Sequence, residues 1–350
     1  MRAWLMDSYD GVDKLRLGEV PDPQPGAGRV LLRVRFAAIN PADAYLAKGM
    51  YPAKPALPHI LGRDGLGEVL AVGDGADQGR LGGSFALPNA GDAGVPIRTG
   101  QTLGILRGST GVDAWGTLAE KVVVPASNVV PVPSGWSLEE LAGAPLVFLT
   151  AWQALTQWSE PPAPPPPKSV LLVTGASGGV GTAAVMLAKS MDLIVVALSR
   201  SAQKGEKLRE LGADFVFSPE DPHLRQAVLA AVAPKKVDLV VDNVAGPLFN
   251  ELVGMLGHGG RISVVGRSGG PVPEFNTATL FFRRNRIGGV SVGDYTPQAA
   301  QATWRQIVER LNALGKRPIV DSVFAFDDVK AAFARLAGGP MGKVLVRVAE

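Results

Sequence analysis

The clearest chemistry in the sequence lies in Val170-Leu-Leu-Val-Thr-Gly175-Ala-Ser177-Gly178-Gly179-Val180-Gly181. An uncharged, strand-forming run enters a glycine-rich turn and continues directly into the helix-forming Thr182-Ala-Ala-Val-Met. Glycines allow the tight turn and let backbone N–H groups approach a diphosphate, and the helix start adds partial positive charge there. Strand, turn, helix and a second strand follow in the required order. Gly175, Ser177, Gly178, Gly179, Val180 and Gly181 are therefore predicted to hold a dinucleotide. The second strand ends at Ser199-Arg200, with Lys204 one turn further on. An NAD-selective site places Asp or Glu here to bond the ribose 2′-hydroxyl. A carboxylate would repel a 2′-phosphate, whereas a hydroxyl and two cations would bind it. Ser199, Arg200 and Lys204 thus predict NADPH as cofactor, although Lys204 also reads as a solvated charge at a helix start.

Other chemistries are excluded by residue type. The chain has 350 residues, no cysteine and three scattered histidines, His59, His223 and His258. Disulfides, thiolate metal sites and cysteine nucleophiles are ruled out, and no metal is expected. Net charge is +3 and the densest basic run is Arg283-Arg284-Asn285-Arg286, too short to argue for nucleic acid. Residues 169–188 lack charge, but the glycines at their centre would break a spanning helix. The N-terminus has no apolar run long enough for a signal peptide. The expectation is a cytoplasmic protein that binds neither membrane nor nucleic acid.

These residues need elements to position them. Residues 1–125 read as short strands separated by Pro and Gly: 30–36 (half-exposed), 66–72 and 120–124. Residues 88–113 read as a long, aperiodic, Gly-rich loop. Pro161-Pro-Ala-Pro-Pro-Pro-Pro167 reads as a stiff connector or, less simply, a ligand for a proline-reading domain. From there strands alternate with helices: strands at 169–174, 193–198, 215–217, 237–241 and 261–265, helices at 180–190, 202–211, 224–232 and 248–256. Continuous Val/Leu runs imply strands buried on both faces, hence a parallel sheet. A last strand is predicted at 286–292 and a helix at 297–314, followed by a mixed tail.

In order, the sequence carries Asn40-Pro-Ala-Asp43-x-Tyr45-x-x-x-Gly49-x-Tyr51 and Pro58-x-x-x-Gly62-x-Asp64-x-x-Gly67-x-Val69. Gly116-Thr-Leu-Ala-Glu120, Leu149-Thr150-Ala151, the glycine turn, Leu211-Gly-Ala-Asp214 and Gly342-Lys343-Val-Leu-Val346 follow. Together these resemble the medium-chain dehydrogenase/reductase superfamily, and within it the zinc-free, zeta-crystallin-like quinone oxidoreductases. The resemblance implies an α/β fold. A GroES-like β-barrel catalytic domain would comprise 1–147 and 295–350. A Rossmann domain with a doubly wound parallel sheet would comprise 148–294, and the active site would lie in the cleft. It also implies a homodimer joined through the 286–292 edge.

The resemblance puts Asn40, Tyr45 and Tyr51 at the nicotinamide end as substrate-side donors. Thr150, Asn243, Gly266, Arg267 and Lys343 fall on the cofactor side. Thr150 also reads as a helix N-cap. Asp43 reads equally as a turn former, and Arg63 and Asp64 equally as partners of each other or of neighbours rather than of substrate. His258 reads as structural. In zinc-dependent relatives a Cys stands at the position of Asn40, Gly-His-Glu at Gly62-Arg63-Asp64, and a four-cysteine lobe near 88–113. None of those thiolates is present, so alcohol oxidation loses its usual Lewis acid. The expected activity is NADPH-dependent reduction of quinones or α,β-unsaturated carbonyls, with the proton from a tyrosine or solvent. The alternatives are a 2-enoyl-thioester reductase, using Arg283, Arg284 and Arg286 for a carrier, and a nucleotide-binding protein with little turnover. The sequence also departs from the family turn at Gly79-Arg-Leu-Gly-Gly-Ser-Phe85.

Overall fold

A computed structural model describes residues 1–76, 80–81, 95–106, 108–272 and 274–349. It forms two compact units. Unit 1 comprises Met1–Leu146, Gly293–Val308 and Arg317–Glu350, and unit 2 comprises Val147–Val292 and Glu309–Lys316.

Unit 1 is built around the 11-residue strand Arg29–Ile39. It pairs antiparallel with Asp64–Val72 and Lys121–Pro125, and its C-terminal end also pairs with Lys343–Arg347. The tail strand thus inserts beside the first long strand, and Val320–Ala325 extends the sheet parallel to it. With neighbours on both sides, Arg29–Ile39 is buried at most positions rather than half-exposed as the sequence suggested. Val30, Leu32, Val34, Ala37 and Ile39 join Val344 and Val346 in one apolar core. The stretch 88–113 is not a structureless loop throughout, because Thr102–Ile105 is a strand between Asp64–Val72 and Val129–Pro131. Its alternation was too short to register. Residues 88–94 and 107 lie outside the described residues, as do Gly79 and 82–85 of the departing turn; Arg80–Leu81 pairs with Val95–Pro96.

Unit 2 holds a six-stranded sheet with every pairing parallel. Its order is Phe215–Phe217, Ile194–Leu198, Val170–Val173, Val237–Asp242, Leu256–Val264, Arg286–Gly289. In chain order this is 3-2-1-4-5-6, the doubly wound arrangement with a switch point beside the first strand. Val170, Leu171, Leu172 and Val173 are all buried, as expected for a strand covered on both faces. The fifth strand starts at Leu256, earlier than predicted, since Gly257 to Gly260 masked it in the sequence. The edge strand ends at Gly289, short of Val292, which begins a 3-10 turn.

Candidate functional site

In unit 1, strand register decides which side chains meet. Ala38 pairs with Asp64 on one side and Leu345 on the other, and Ile39 pairs with Val344. Asn40, Asp64 and Lys343, far apart in sequence, therefore lie side by side. Gly342 makes the final approach possible. Its φ is +88°, and a Cβ there would collide with the Ile319 carbonyl, whose oxygen accepts the Lys343 N–H at 2.9 Å.

The Lys343 ammonium is nearly buried. It donates to Asn40 Oδ1 at 2.6 Å, the Ile39 carbonyl at 3.2 Å and Asp64 Oδ2 at 3.2 Å. Three protons thus meet three acceptors. Asn40 turns its oxygen to the lysine, and its amide N–H₂ donates to the Ala38 carbonyl at 3.2 Å. Asp64 is fully buried, and its Oδ1 has no partner among the described residues. Burial pushes its carboxyl up to about 6; Lys343 and the Asn40 amide oppose this and the like charge of Asp43 adds to it.

Asn40 also starts the short helix Pro41–Ala47, with Pro41 at its first position. Its backbone N–H donates to Asp43 Oδ2 at 2.8 Å. Asp43 is fully buried, and its other oxygen accepts from Arg63 Nε at 3.3 Å. Arg63 Nη1 donates to the Tyr51 oxygen at 3.2 Å, and the guanidinium lies 4.7 Å from the Tyr51 ring centroid. Burial would lower the Arg63 pKa, but Asp43 and Tyr51 outweigh it and hold the group above its ordinary value. Both carboxylates are thus matched by cations, in agreement with reading Arg63 and Asp64 as partners of neighbours. Tyr45 is half-buried in the same helix, two residues beyond Asp43. His59 is buried with Nε2 unpartnered among the described residues, and burial lowers its pKa.

In unit 2, the predicted cofactor residues gather at the C-terminal ends of the strands. The glycine turn follows Val170–Val173, and Gly178 caps the helix Gly179–Ser190. A Cβ on Gly181 would collide with the Gly175 carbonyl and Ala176, so only glycine fits where helix meets turn. Ser199 and Arg200 follow the second strand. The Ser199 hydroxyl donates to the Ser201 carbonyl at 3.1 Å, and the Ser201 hydroxyl caps the helix Ala202–Leu211 by accepting the Lys204 N–H at 3.3 Å. Arg200 is exposed at that helix start and, among the described residues, meets no carboxylate. Asn243 follows the fourth strand, and Gly266 and Arg267 the fifth.

Sequence reasoning missed how this edge is tied together. Thr174 donates from its hydroxyl to buried Asp242 at 2.7 Å and accepts the Asn243 N–H at 2.9 Å. Asn243 Nδ2 donates to the Thr174 carbonyl at 2.8 Å. Asp242 Oδ1 also accepts the Val244 and Ala245 N–H groups, each at 3.0 Å. An aspartate ending a buried Val-rich strand was the available signal. One expected placement changes, and one side chain gains partners. Thr150 lies in the middle of the helix Pro145–Thr156, so it is not an N-cap. The Lys343 side chain is engaged with Asn40 and Asp64 inside unit 1.

Residues 26–134 match the alcohol dehydrogenase GroES-like domain, and residues 179–313 match the zinc-binding dehydrogenase family. The chain belongs to the medium-chain dehydrogenase/reductase superfamily. A GroES-like domain and a Rossmann-like parallel sheet are its two parts, and it is an oxidoreductase of this superfamily. It is 25% identical to human quinone oxidoreductase, over 99% of this chain and 97% of that one. A solved structure described as an NAD-dependent alcohol dehydrogenase superposes with a TM-score of 0.86 at 28% identity, covering 100% of both chains. The quinone oxidoreductase of Thermus thermophilus, solved also in complex with NADPH, gives a TM-score of 0.76 at 29% identity. That likeness covers 99% of this chain and 100% of that one.

With no cysteine in the chain, no group of three or more His, Asp or Glu side chains gathers as a ligand set among the described residues. No helix among them is long and apolar enough to cross a membrane.

Proposed function

We propose that the chain is an NADPH-dependent, zinc-independent reductase of quinones or α,β-unsaturated carbonyls. The observation that carries this reading is the Lys343–Asn40 bond. The position that holds a thiolate in zinc-dependent relatives here holds an amide bound to a buried ammonium. A dication would be repelled there, while an amide N–H donor suits a developing oxyanion. The glycine cradle at Gly175 to Gly181 fits a diphosphate, and exposed Arg200 at a helix start fits a 2′-phosphate. When bound, the cofactor supplies the hydride. Asn40, Tyr45 and Tyr51 donate hydrogen bonds to the substrate oxygen, and a tyrosine or solvent supplies the proton. The NADPH complex of the Thermus thermophilus enzyme supports the cofactor choice.

The thioester alternative is weakened because Arg283 is engaged, donating to the Gly254 and Leu256 carbonyls at 3.3 and 3.1 Å. We also propose a homodimer. The edge strand Arg286–Gly289 has one strand partner among the described residues, and Phe281, Phe282 and Ile287 beside or on it are exposed. The reading places the protein in the cytoplasm.

The test is oxidation of NADPH and NADH by purified, untagged protein against quinones, enones, enoyl thioesters and simple alcohols, with metal analysis of the same sample. NADPH-linked reduction of quinones or enones, without alcohol oxidation, is expected. Alcohol oxidation at comparable rates, or one stoichiometric zinc per chain, would overturn the reading. NADPH binding without turnover on any acceptor would favour a non-catalytic role.

A further inference from the structure

Arg63 bonds the candidate donor Tyr51 directly and reaches the backbone of Asn40 through Asp43. Asn40 holds Asp43, Asp43 holds Arg63, and Arg63 holds Tyr51, through bonds of 2.8, 3.3 and 3.2 Å. The geometry differs from the bidentate pairs of this chain, in which Arg225 and Arg335 each give one carboxylate two N–H bonds. Arg63 gives Asp43 only Nε, gives Tyr51 Nη1, and leaves Nη2 buried without a partner among the described residues. Its ring contact with Tyr51 is close, at 4.7 Å from the centroid.

The direction of the Tyr51 bond has a consequence. Guanidinium has donors and no acceptor. The Tyr51 oxygen must therefore accept from Arg63 through a lone pair, and its own hydrogen points elsewhere. A cation at that oxygen also stabilises the negative charge that grows as the hydroxyl shares its proton with a substrate oxygen. We propose that Arg63 is a positioning residue that keeps the Tyr51 hydroxyl committed as a hydrogen-bond donor to the substrate carbonyl. It acts through Tyr51 without contacting substrate. This rests on the reading of Tyr51 as a substrate-side donor.

A double-mutant cycle on enone reduction tests it, using Tyr51→Phe, Arg63→Gln, Arg63→Lys and the two double variants in the full-length protein. Hydrogen bonds to charged groups correspond to about ten- to a hundredfold in rate. Arg63→Gln is expected to lower kcat for an enone by about that factor, with NADPH affinity unchanged. Arg63→Lys, which keeps a charge beside Asp43, should recover part of the loss. In the Tyr51→Phe background the same Arg63 changes should alter kcat by less than about twofold, since the oxygen they act on is gone. Arg63→Lys carries the cycle on its own if Arg63→Gln does not fold. Equal losses in both backgrounds would overturn the proposal, because Arg63 would then act independently of Tyr51. If Tyr51→Phe alone matches the parent on enones, the donor reading of Tyr51 fails first, and this inference falls with it.

Discussion

Replacing Asp64 with Asn should change how the stability of the protein depends on pH. The folded carboxyl holds its proton to about pH 6, whereas in the unfolded chain it releases it near 3.8. Between those values the folded state binds more protons. The contribution of this group is therefore fully present below the unfolded value and is lost as pH rises through the folded one. The gap corresponds to about 3 kcal/mol, of which roughly 2 kcal/mol falls between about pH 4.5 and 7. The cause is geometric. Asp64 is fully buried, one oxygen has no partner among the described residues, and Lys343 reaches the other through a single bond at 3.2 Å while Asp43 adds a like charge. Urea unfolding of parent and Asp64→Asn at both pH values measures this directly. Loss of the carboxylate also removes a partner of Lys343, which shifts the variant by a constant offset over this range. On top of that offset, the variant should gain about 2 kcal/mol relative to the parent on going from pH 4.5 to 7. A stability difference between the two proteins that is the same at both pH values would refute the argument.

Arg200→Ala should reduce NADPH affinity about ten- to a hundredfold and leave NADH affinity nearly unchanged, by titration of cofactor fluorescence. Equal affinity of the parent for both cofactors would sink the 2′-phosphate argument. Gly181→Ala should abolish binding of both cofactors, because its Cβ meets the Gly175 carbonyl and Ala176 at the turn; an alanine variant that still binds would show that the turn adapts. If the protein forms the proposed dimer, Ile287→Lys should convert it to monomer in light scattering, through a charge at the exposed edge. A monomeric parent would remove the premise.

The local pattern was enough to read the cofactor unit. Val170–Val173 announces a strand covered on both faces, and the glycines after it announce a turn that only a close backbone approach requires. Such signals live within a few residues, so a linear reading recovers them. The strand Thr102–Ile105 escaped because four residues between glycines carry too little periodicity. The strand Val320–Ala325 lay in a stretch read only as a mixed tail.

What the sequence alone determined was the set of available chemistries. No thiolate exists, a glycine cradle does, and Ser199-Arg200 replaces an acid. What the tertiary structure decided was the fate of each buried charge. Lys343 matches a family cofactor position, and the pairing of Ile39 with Val344 and Ala38 with Asp64 brings its ammonium to Asn40. Asp43, Arg63 and Tyr51 were separate candidates in the sequence and form one hydrogen-bonded chain in the fold. The physical reason is that strand register is set by long-range pairing, which joins residues hundreds of positions apart. A buried charge takes whichever partner that register supplies.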